Sequence, residues 1–136
     1  MSDKVFIDTN LLIYSISKES RKSYIVENLL LQPFDFIIST QVINEFVQVC
    51  FKKSLIPSED IRQVVRDFLQ FFEVVVIEDI TILSALNIKD KYRYAWYDSL
   101  IIASALENNC TLLFSEDMSN GQQIEQSLTI QNPFMV

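Results

Sequence analysis

The sequence predicts an α/β protein with a mostly parallel sheet, and three observations lead to this class. Short apolar runs alternate with longer stretches of helical periodicity, an order that requires crossover connections between parallel strands. The first run, residues 5–7, is apolar at every position, which is typical of a strand buried on both faces. The 136 residues are 49% hydrophobic with a single glycine, which favours dense regular structure. We therefore expect one domain over residues 1–136.

The first half of the chain divides into two strands and three helices. Pro33 marks the end of the second helix, because proline cannot continue one. Ser39 or Thr40 can cap the third helix through a hydroxyl oxygen. In order, the predicted elements are a strand over 5–7, a helix over 10–17, a helix over 19–31, a strand over 34–39 and a helix ending near 54.

The second half continues the alternation. Pro57 and the acids that follow it open a helix, and Asp79 is predicted to cap the next one. The helix that begins at Tyr97 is the most apolar of all, and Gly121 marks a loop. The predicted elements are a helix from 57 to about 72, a strand over 73–77, helices over 80–90 and 97–108, a strand over 111–115, a short helix and a fifth strand near 128–130.

Composition excludes several kinds of chemistry. The absence of histidine removes Ser-His-Asp and Cys-His catalysis and nearly all zinc sites. Cys50 and Cys110 stand among apolar residues and are predicted to be buried thiols rather than a disulfide or a metal pair. A net charge of −7 argues against broad, non-specific binding to nucleic acid. No apolar run is long enough for a membrane span and no signal-peptide core is present, so we expect a cytoplasmic protein.

Four acidic side chains are predicted to meet at one edge of the sheet. Asp8 and Asp117 directly follow strands, and ligands of open α/β sheets bind at the carboxyl ends of strands. Glu45 and Asp98 are predicted in the first turns of helices, each on the same helix face as apolar residues. Carboxylates crowded in this way repel one another unless a divalent cation lies between them. Oxygen ligands favour Mg²⁺, with Mn²⁺ possible.

Each acid also has a simpler structural explanation. Asp8 can serve as a helix N-cap, a role compatible with metal binding. Glu45 taken alone is better explained as a partly exposed helix residue. Asp98 taken alone fits an acid that complements the helix dipole as well as it fits a metal ligand. Glu116 and Asp117 taken alone fit a solvated turn. The shared location favours the metal site over these separate explanations.

The stretch 89–96 combines basic and aromatic residues. Its charges are better explained as a solvated helix end than as a contact to a phosphate backbone. Its aromatic residues, Tyr92, Tyr94 and Trp96, are more typical of a core or an interface than of base stacking.

Four short motifs make the whole chain resemble the PIN-domain family, and within it the VapC-like toxin ribonucleases. The motifs are Phe6-Ile7-Asp8-Thr9-Asn10, Ile43-Asn44-Glu45-Phe46, Tyr97-Asp98-Ser99-Leu100-Ile101-Ile102-Ala103-Ser104-Ala105 and Phe114-Ser115-Glu116-Asp117. The third is the most specific and the fourth the loosest, because Glu116 could take the place of Asp117.

The resemblance implies a three-layer α/β/α sandwich with a central five-stranded sheet and a metal-dependent endoribonuclease. It makes Asp8, Glu45, Asp98 and Asp117 the catalytic metal ligands, with Asn10, Ser115 and Glu116 in support. It also implies a homodimer, an RNA substrate and a cognate antitoxin that occupies the active site.

Two other classes of protein remain open. A phosphatase of the haloacid dehalogenase type also begins with a strand that ends in aspartate, used there as a nucleophile. Such an enzyme expects a second acid two residues later, where this chain has Asn10. The fold could also serve as a binding module without catalysis, because the aromatic load would suit a partner surface.

Overall fold

Six strands form a single sheet in the part of the chain that the computed structural model describes, residues 3–17 and 20–135. The strands are β1 (Lys4–Ile7), β2 (Asp35–Ser39), β3 (Glu73–Val75), β4 (Leu112–Phe114), β5 (Gln123–Ile124) and β6 (Leu128–Gln131). Their order across the sheet is β3-β2-β1-β4-β6-β5, and every pair of neighbours is parallel except β5 and β6. The predicted α/β sandwich with a mostly parallel sheet is confirmed, with six strands instead of five.

Helices flank this sheet and begin close to the predicted positions. The described residues form α1 (Thr9–Ile16), α2 (Arg21–Leu30), α3 (Thr40–Lys53), α4 (Ser58–Phe71), α5 (Asp79–Tyr92) and α6 (Trp96–Glu107). Ser39 caps α3, since its hydroxyl accepts from the backbone N–H of Val42 at 3.2 Å. Glu78, and not Asp79, is the N-cap of α5, because the hydroxyl of Thr81 accepts from the backbone N–H of Glu78. The predicted start of α2 at Glu19 lies outside the described residues.

The core lies between the central strands and the apolar faces of the helices. Phe6 and Leu113, on the adjacent strands β1 and β4, are fully buried, as their uniformly apolar surroundings in sequence predict. Phe46 occupies the buried stripe of α3. Cys50 and Cys110 are buried free thiols, as predicted. Of the helices in the described ranges, none has both the length and the apolar character needed to cross a bilayer.

The predicted short helix after Gly121 is wrong, and an antiparallel hairpin takes its place. Ile124 of β5 pairs with Leu128 of β6, and both side chains are fully buried. The two residues between the strands that reverse the chain, Glu125 and Gln126, have φ angles of 50° and 58°. Consecutive positive φ angles are typical of the tight turns that join hairpin strands. Burial of the two apolar side chains therefore decides the structure of this segment.

Candidate active site

Asp8 and Ser115 are the residues that follow the two adjacent central strands. Ile7 pairs with Phe114 in the parallel register, and the backbone N–H of Asp8 donates to the carbonyl of Phe114 at 3.0 Å. The hydroxyl of Ser115 then donates to Oδ2 of Asp8 at 2.7 Å. Since β2 and β4 lie on opposite sides of β1, this edge is a topological switch point, where open α/β sheets bind ligands.

Asp8 is a buried carboxylate with two fixed hydrogen bonds. It caps α1, and its Oδ1 accepts from the backbone N–H of Thr9 at 2.6 Å. The pKa of Asp8 is raised to about 7, mainly by burial and to a smaller extent by the negative charges of Asp98 and Glu45, against the lowering effect of the two hydrogen bonds. The side chain therefore serves as a helix cap while facing other acids.

Glu45 reaches the same place from α3. It is the sixth residue of the helix and so lies in the second turn. The sequence-based prediction that Glu45 lies in the first turn is therefore wrong. Its Oε2 accepts from the hydroxyl of Thr9 at 2.7 Å, and its Oε1 is 3.5 Å from the amide nitrogen of Gln41. The carboxylate is only partly buried, and these neutral donors fix its position.

Asp98 is the third residue of α6 and lies in the first turn, as predicted. Ile101 and Ile102, on the following turn, are buried. Burial raises the pKa of Asp98, and the charges of Asp117 and Glu45 add to this rise. The acids that follow β1 and β4 and those on α3 and α6 thus influence one another electrostatically.

Glu116 and Asp117 diverge after β4. The amide of Asn10 donates to Oδ2 of Asp117 at 3.2 Å, and the backbone N–H of Asp117 donates to Oγ of Ser115 at 3.3 Å. Glu116 instead forms an ion pair with Lys22 and accepts from the hydroxyl of Tyr14 at 2.6 Å. Burial tends to raise the pKa of Glu116, but the hydrogen bonds from Lys22 and Tyr14 outweigh it and hold the pKa below its usual value.

One cavity of about 860 Å³ brings the acids together. Its walls include Asp8, Glu45, Asp98 and Asp117 but not Glu116. Within residues 3–17 and 20–135, no three Asp, Glu, His or Cys side chains are already close enough together to form a metal site.

The donor set of this cavity nevertheless suits a hard divalent cation. It offers carboxylate oxygens from four separate elements of the chain. In addition, the buried Oδ1 of Asn10 has no hydrogen-bond partner among the described residues, and such an oxygen requires one. A hydrated cation in the cavity would supply donors to that oxygen and neutralise the carboxylates.

Thr9, Gln41 and Lys53 are among the further residues of the cavity that sequence reasoning did not single out. Thr9 follows a strand end, so a role in orienting a carboxylate could have been suspected from its hydroxyl. Gln41 lies one turn before Glu45 on α3, so helical spacing places the two side chains near each other. Lys53 lies about two turns after Glu45, and only the cavity identifies it.

The basic and aromatic stretch 89–96 lies elsewhere and has structural roles. Lys91 forms an ion pair with Glu125 at 2.7 Å, and Arg93 ends α5 in the left-handed conformation. Tyr94 packs against the main core and Trp96 against a smaller apolar cluster. None of these residues lines the acidic cavity, which agrees with a solvated helix end.

The fold and this acidic cavity define a PIN-type α/β domain, and the sequence agrees. The profile of the PIN domain matches residues 5–119. The chain therefore belongs to the PIN-domain family. A search of curated protein sequences finds no match.

Solved structures with the same fold include toxins of toxin–antitoxin complexes. A toxin–antitoxin complex from Klebsiella pneumoniae matches with a TM-score of 0.73 and 19% identity over 97% of this chain and 99% of that chain. DNA-bound VapBC from Salmonella typhimurium matches with a TM-score of 0.73 and 20% identity over 98% and 99%. VapC20 of Mycobacterium tuberculosis, described as a toxin that cleaves the sarcin–ricin loop, matches with a TM-score of 0.70 and 12% identity over 83% and 91%. The chain thus has the fold of VapC-like toxins.

Proposed function

We propose that this protein is a metal-dependent endoribonuclease that hydrolyses RNA phosphodiester bonds with Mg²⁺ or Mn²⁺. The observation that carries the proposal is the convergence of four carboxylates on one cavity at the switch point of the sheet. Asp8, Glu45, Asp98 and Asp117 would hold the cation. When bound, the cation would supply a nucleophilic water at neutral pH and neutralise charge on the phosphate.

The chain's own residues prepare this site by fixing its oxygens. Ser115 and the backbone of Thr9 each bind one oxygen of Asp8, which sets the rotation of that carboxylate. The hydroxyl of Thr9 binds Glu45, and Asn10 binds Asp117. Consecutive residues at the start of α1 therefore contact three of the four acids. No protein nucleophile is needed, in keeping with a chain that has no histidine.

The direct test is cleavage of RNA by variants of the acids. We expect Asp8→Asn and Asp98→Asn each to lower Mg²⁺-dependent cleavage at least about 100-fold, because each removes a charged metal ligand. Sequencing the RNA ends made by the purified wild-type protein identifies the cleavage sites. The rate at which each purified variant produces the same ends then measures its activity. Asp90→Asn, at an exposed position of α5 outside the cavity, is the matched control and should cleave normally.

Circular dichroism must show that the variants remain folded. Full activity of a folded Asp8→Asn or Asp98→Asn protein would refute the nuclease assignment. RNA binding without cleavage by the wild type would favour a non-catalytic binding module. Turnover of small phosphoesters without RNA cleavage would favour the phosphatase.

Asp117, and not Glu116, is proposed as the fourth acid. The support is that Asp117 lines the cavity while Glu116 is occupied by Lys22 and Tyr14. We expect Asp117→Asn to reduce kcat/KM by at least about 10-fold. Glu116→Gln should leave it within about 3-fold and cost about 1 kcal/mol of stability, since its ion pair is partly exposed. If Glu116→Gln instead lowers kcat/KM more than Asp117→Asn does, Glu116 is the fourth acid.

The biological setting is proposed from the fold neighbours. We propose that the chain is the toxin of a type II toxin–antitoxin pair, that it acts in the cytoplasm as a homodimer, and that a cognate antitoxin restrains it. The support is that the Klebsiella pneumoniae and Salmonella typhimurium structures are toxin–antitoxin complexes. Induced expression in bacteria should arrest growth, and Asp98→Asn should not. Growth arrest by the folded inactive variant would contradict this role.

A further inference from the structure

One wall of the acidic cavity is a polar face of α3 that carries no acid except Glu45. Residues of this helix that line the cavity occupy one half of its circumference, over most of its length. Beyond Glu45 and the partly buried Val49, they are Gln41, Asn44, Gln48 and Lys53. Among the described residues that line the cavity, Lys53 is the only cation.

Lys53 has no local partner that would explain its position. It is exposed in the last turn of α3 and forms no salt bridge within residues 3–17 and 20–135. A cation there complements the helix dipole, but the adjacent Lys52 does so equally and does not line the cavity. The charge of Lys53 is therefore available to a ligand of the cavity.

The spacing along α3 matches a polymer longer than one nucleotide. Lys53 lies eight residues after Glu45, which corresponds to about 12 Å along the helix axis. Successive phosphates are about 3.4 Å apart along the axis of a duplex strand and farther apart in an extended strand. A strand whose scissile phosphate lies at the acids would thus present another phosphate, a few nucleotides away, to Lys53.

We infer that α3 is the track for the RNA strand and that Lys53 binds a phosphate that is not cleaved. This inference rests on the proposed ribonuclease function and specifies where its substrate lies. Gln48 lies between Glu45 and Lys53 on α3, and Gln41 and Asn44 lie on the other side of Glu45. All three offer neutral donors and acceptors suited to sugar hydroxyls and base edges. In a chain of net charge −7, one cation placed on this wall gives the backbone a defined direction along α3.

The test compares Lys53→Ala with Lys52→Ala, which removes the neighbouring charge outside the cavity. Binding of a fluorescein-labelled single-stranded RNA of about 12 nucleotides is followed by anisotropy with Mg²⁺. Both substitutions are made in the Asp98→Asn protein, which prevents cleavage during the measurement. We expect Lys53→Ala to weaken binding about 5-fold or more at low salt and to reduce the salt slope by about 0.7, with little change for Lys52→Ala.

A second measurement identifies the phosphate. Single methylphosphonate substitutions along the RNA each remove one backbone charge. The loss caused by Lys53→Ala should vanish when one particular position is neutral and persist at the others. Equal affinities of the Lys53→Ala and Lys52→Ala proteins, equal losses in both, or a Lys53→Ala effect that persists at every neutral position would overturn the inference.

These outcomes are separate from those of the proposed function. If the wild-type protein cleaves RNA while the Lys53→Ala protein binds RNA normally, the ribonuclease function stands and the proposed RNA path along α3 is wrong. If the wild-type protein cleaves no RNA, the proposed ribonuclease function is wrong, and the binding comparison still decides whether Lys53 binds RNA.

Discussion

Asp8 combines two demands that conflict when no cation is present. Its carboxylate must be buried to cap α1 and to pair with Ser115, yet burial disfavours its charged form. Asp98 and Glu45 worsen this by adding nearby negative charge. A bound divalent cation would remove the conflict, so the metal and the folded state of this site should stabilise each other.

The first prediction at the residue scale concerns pH and stability. Because the folded-state pKa of Asp8 is about 7 and the unfolded value is 3.8, the folded protein binds the proton more tightly. Its contribution to stability is fully present below the unfolded pKa and is lost as pH rises through the folded pKa. In EDTA we expect the free energy of unfolding to fall by on the order of 2–4 kcal/mol between about pH 4 and about pH 8.

Denaturant titrations across this pH range measure the effect. Asp8→Asn should flatten the slope, since asparagine still caps a helix but does not titrate in this range. Mg²⁺ should restore stability to the wild type near neutral pH and not to the variant. A wild-type protein in EDTA that is more stable at neutral pH than at the acid end would contradict this account.

At the scale of elements, the hairpin of β5 and β6 departs from its local sequence. Glu125 and Gln126 adopt positive φ angles although neither is glycine or asparagine. The backbone N–H of Glu125 donates to the hydroxyl of Tyr92 at 3.0 Å, and its carboxylate pairs with Lys91. The end of α5 therefore holds the turn in place by tertiary contacts.

We expect Gln126→Val to lower stability by about 1–3 kcal/mol, because a β-branched residue is strained at positive φ. The same change at Gln123, an exposed position of β5, should be neutral or stabilising, since valine favours strands. Thermal unfolding of the two variants gives the comparison. If both substitutions have the same effect, the turn is not strained.

This hairpin also shows why part of the structure is hidden from sequence reasoning. β1 could be predicted because its apolar residues need burial on both faces, and α3 because its apolar residues repeat at helical spacing. Between β5 and β6, the positive-φ positions hold Glu125 and Gln126 and not the glycine, asparagine or aspartate typical of hairpin turns. The local sequence therefore gave no indication of a hairpin. Lys53 carries no signal in the sequence, because only the cavity relates it to acids that are distant along the chain.

At the scale of the whole molecule, a single helix face stands out among the exposed apolar surfaces. Ile80, Leu83 and Leu86 of α5 are 61%, 63% and 47% exposed and recur at a spacing of three residues, so they share one side of the helix. Exposed apolar surface of this kind marks contacts between proteins. A strip on one helix can meet its own copy across a two-fold axis, and such isologous dimers are the commonest oligomers.

We expect this face to form the proposed homodimer, and Leu83→Glu to make the protein monomeric, because two buried charges would face each other across the two-fold axis. Sedimentation velocity of the purified chain at about 50 μM, near the affinity range of modest interfaces, measures the mass. Leu31→Glu, at a similarly exposed apolar position at the end of α2, is the control and should leave the dimer intact. Since α5 does not line the acidic cavity, the monomeric variant should still bind Mg²⁺. A wild-type monomer, or a Leu83→Glu dimer, would show that this surface does not form a homodimer.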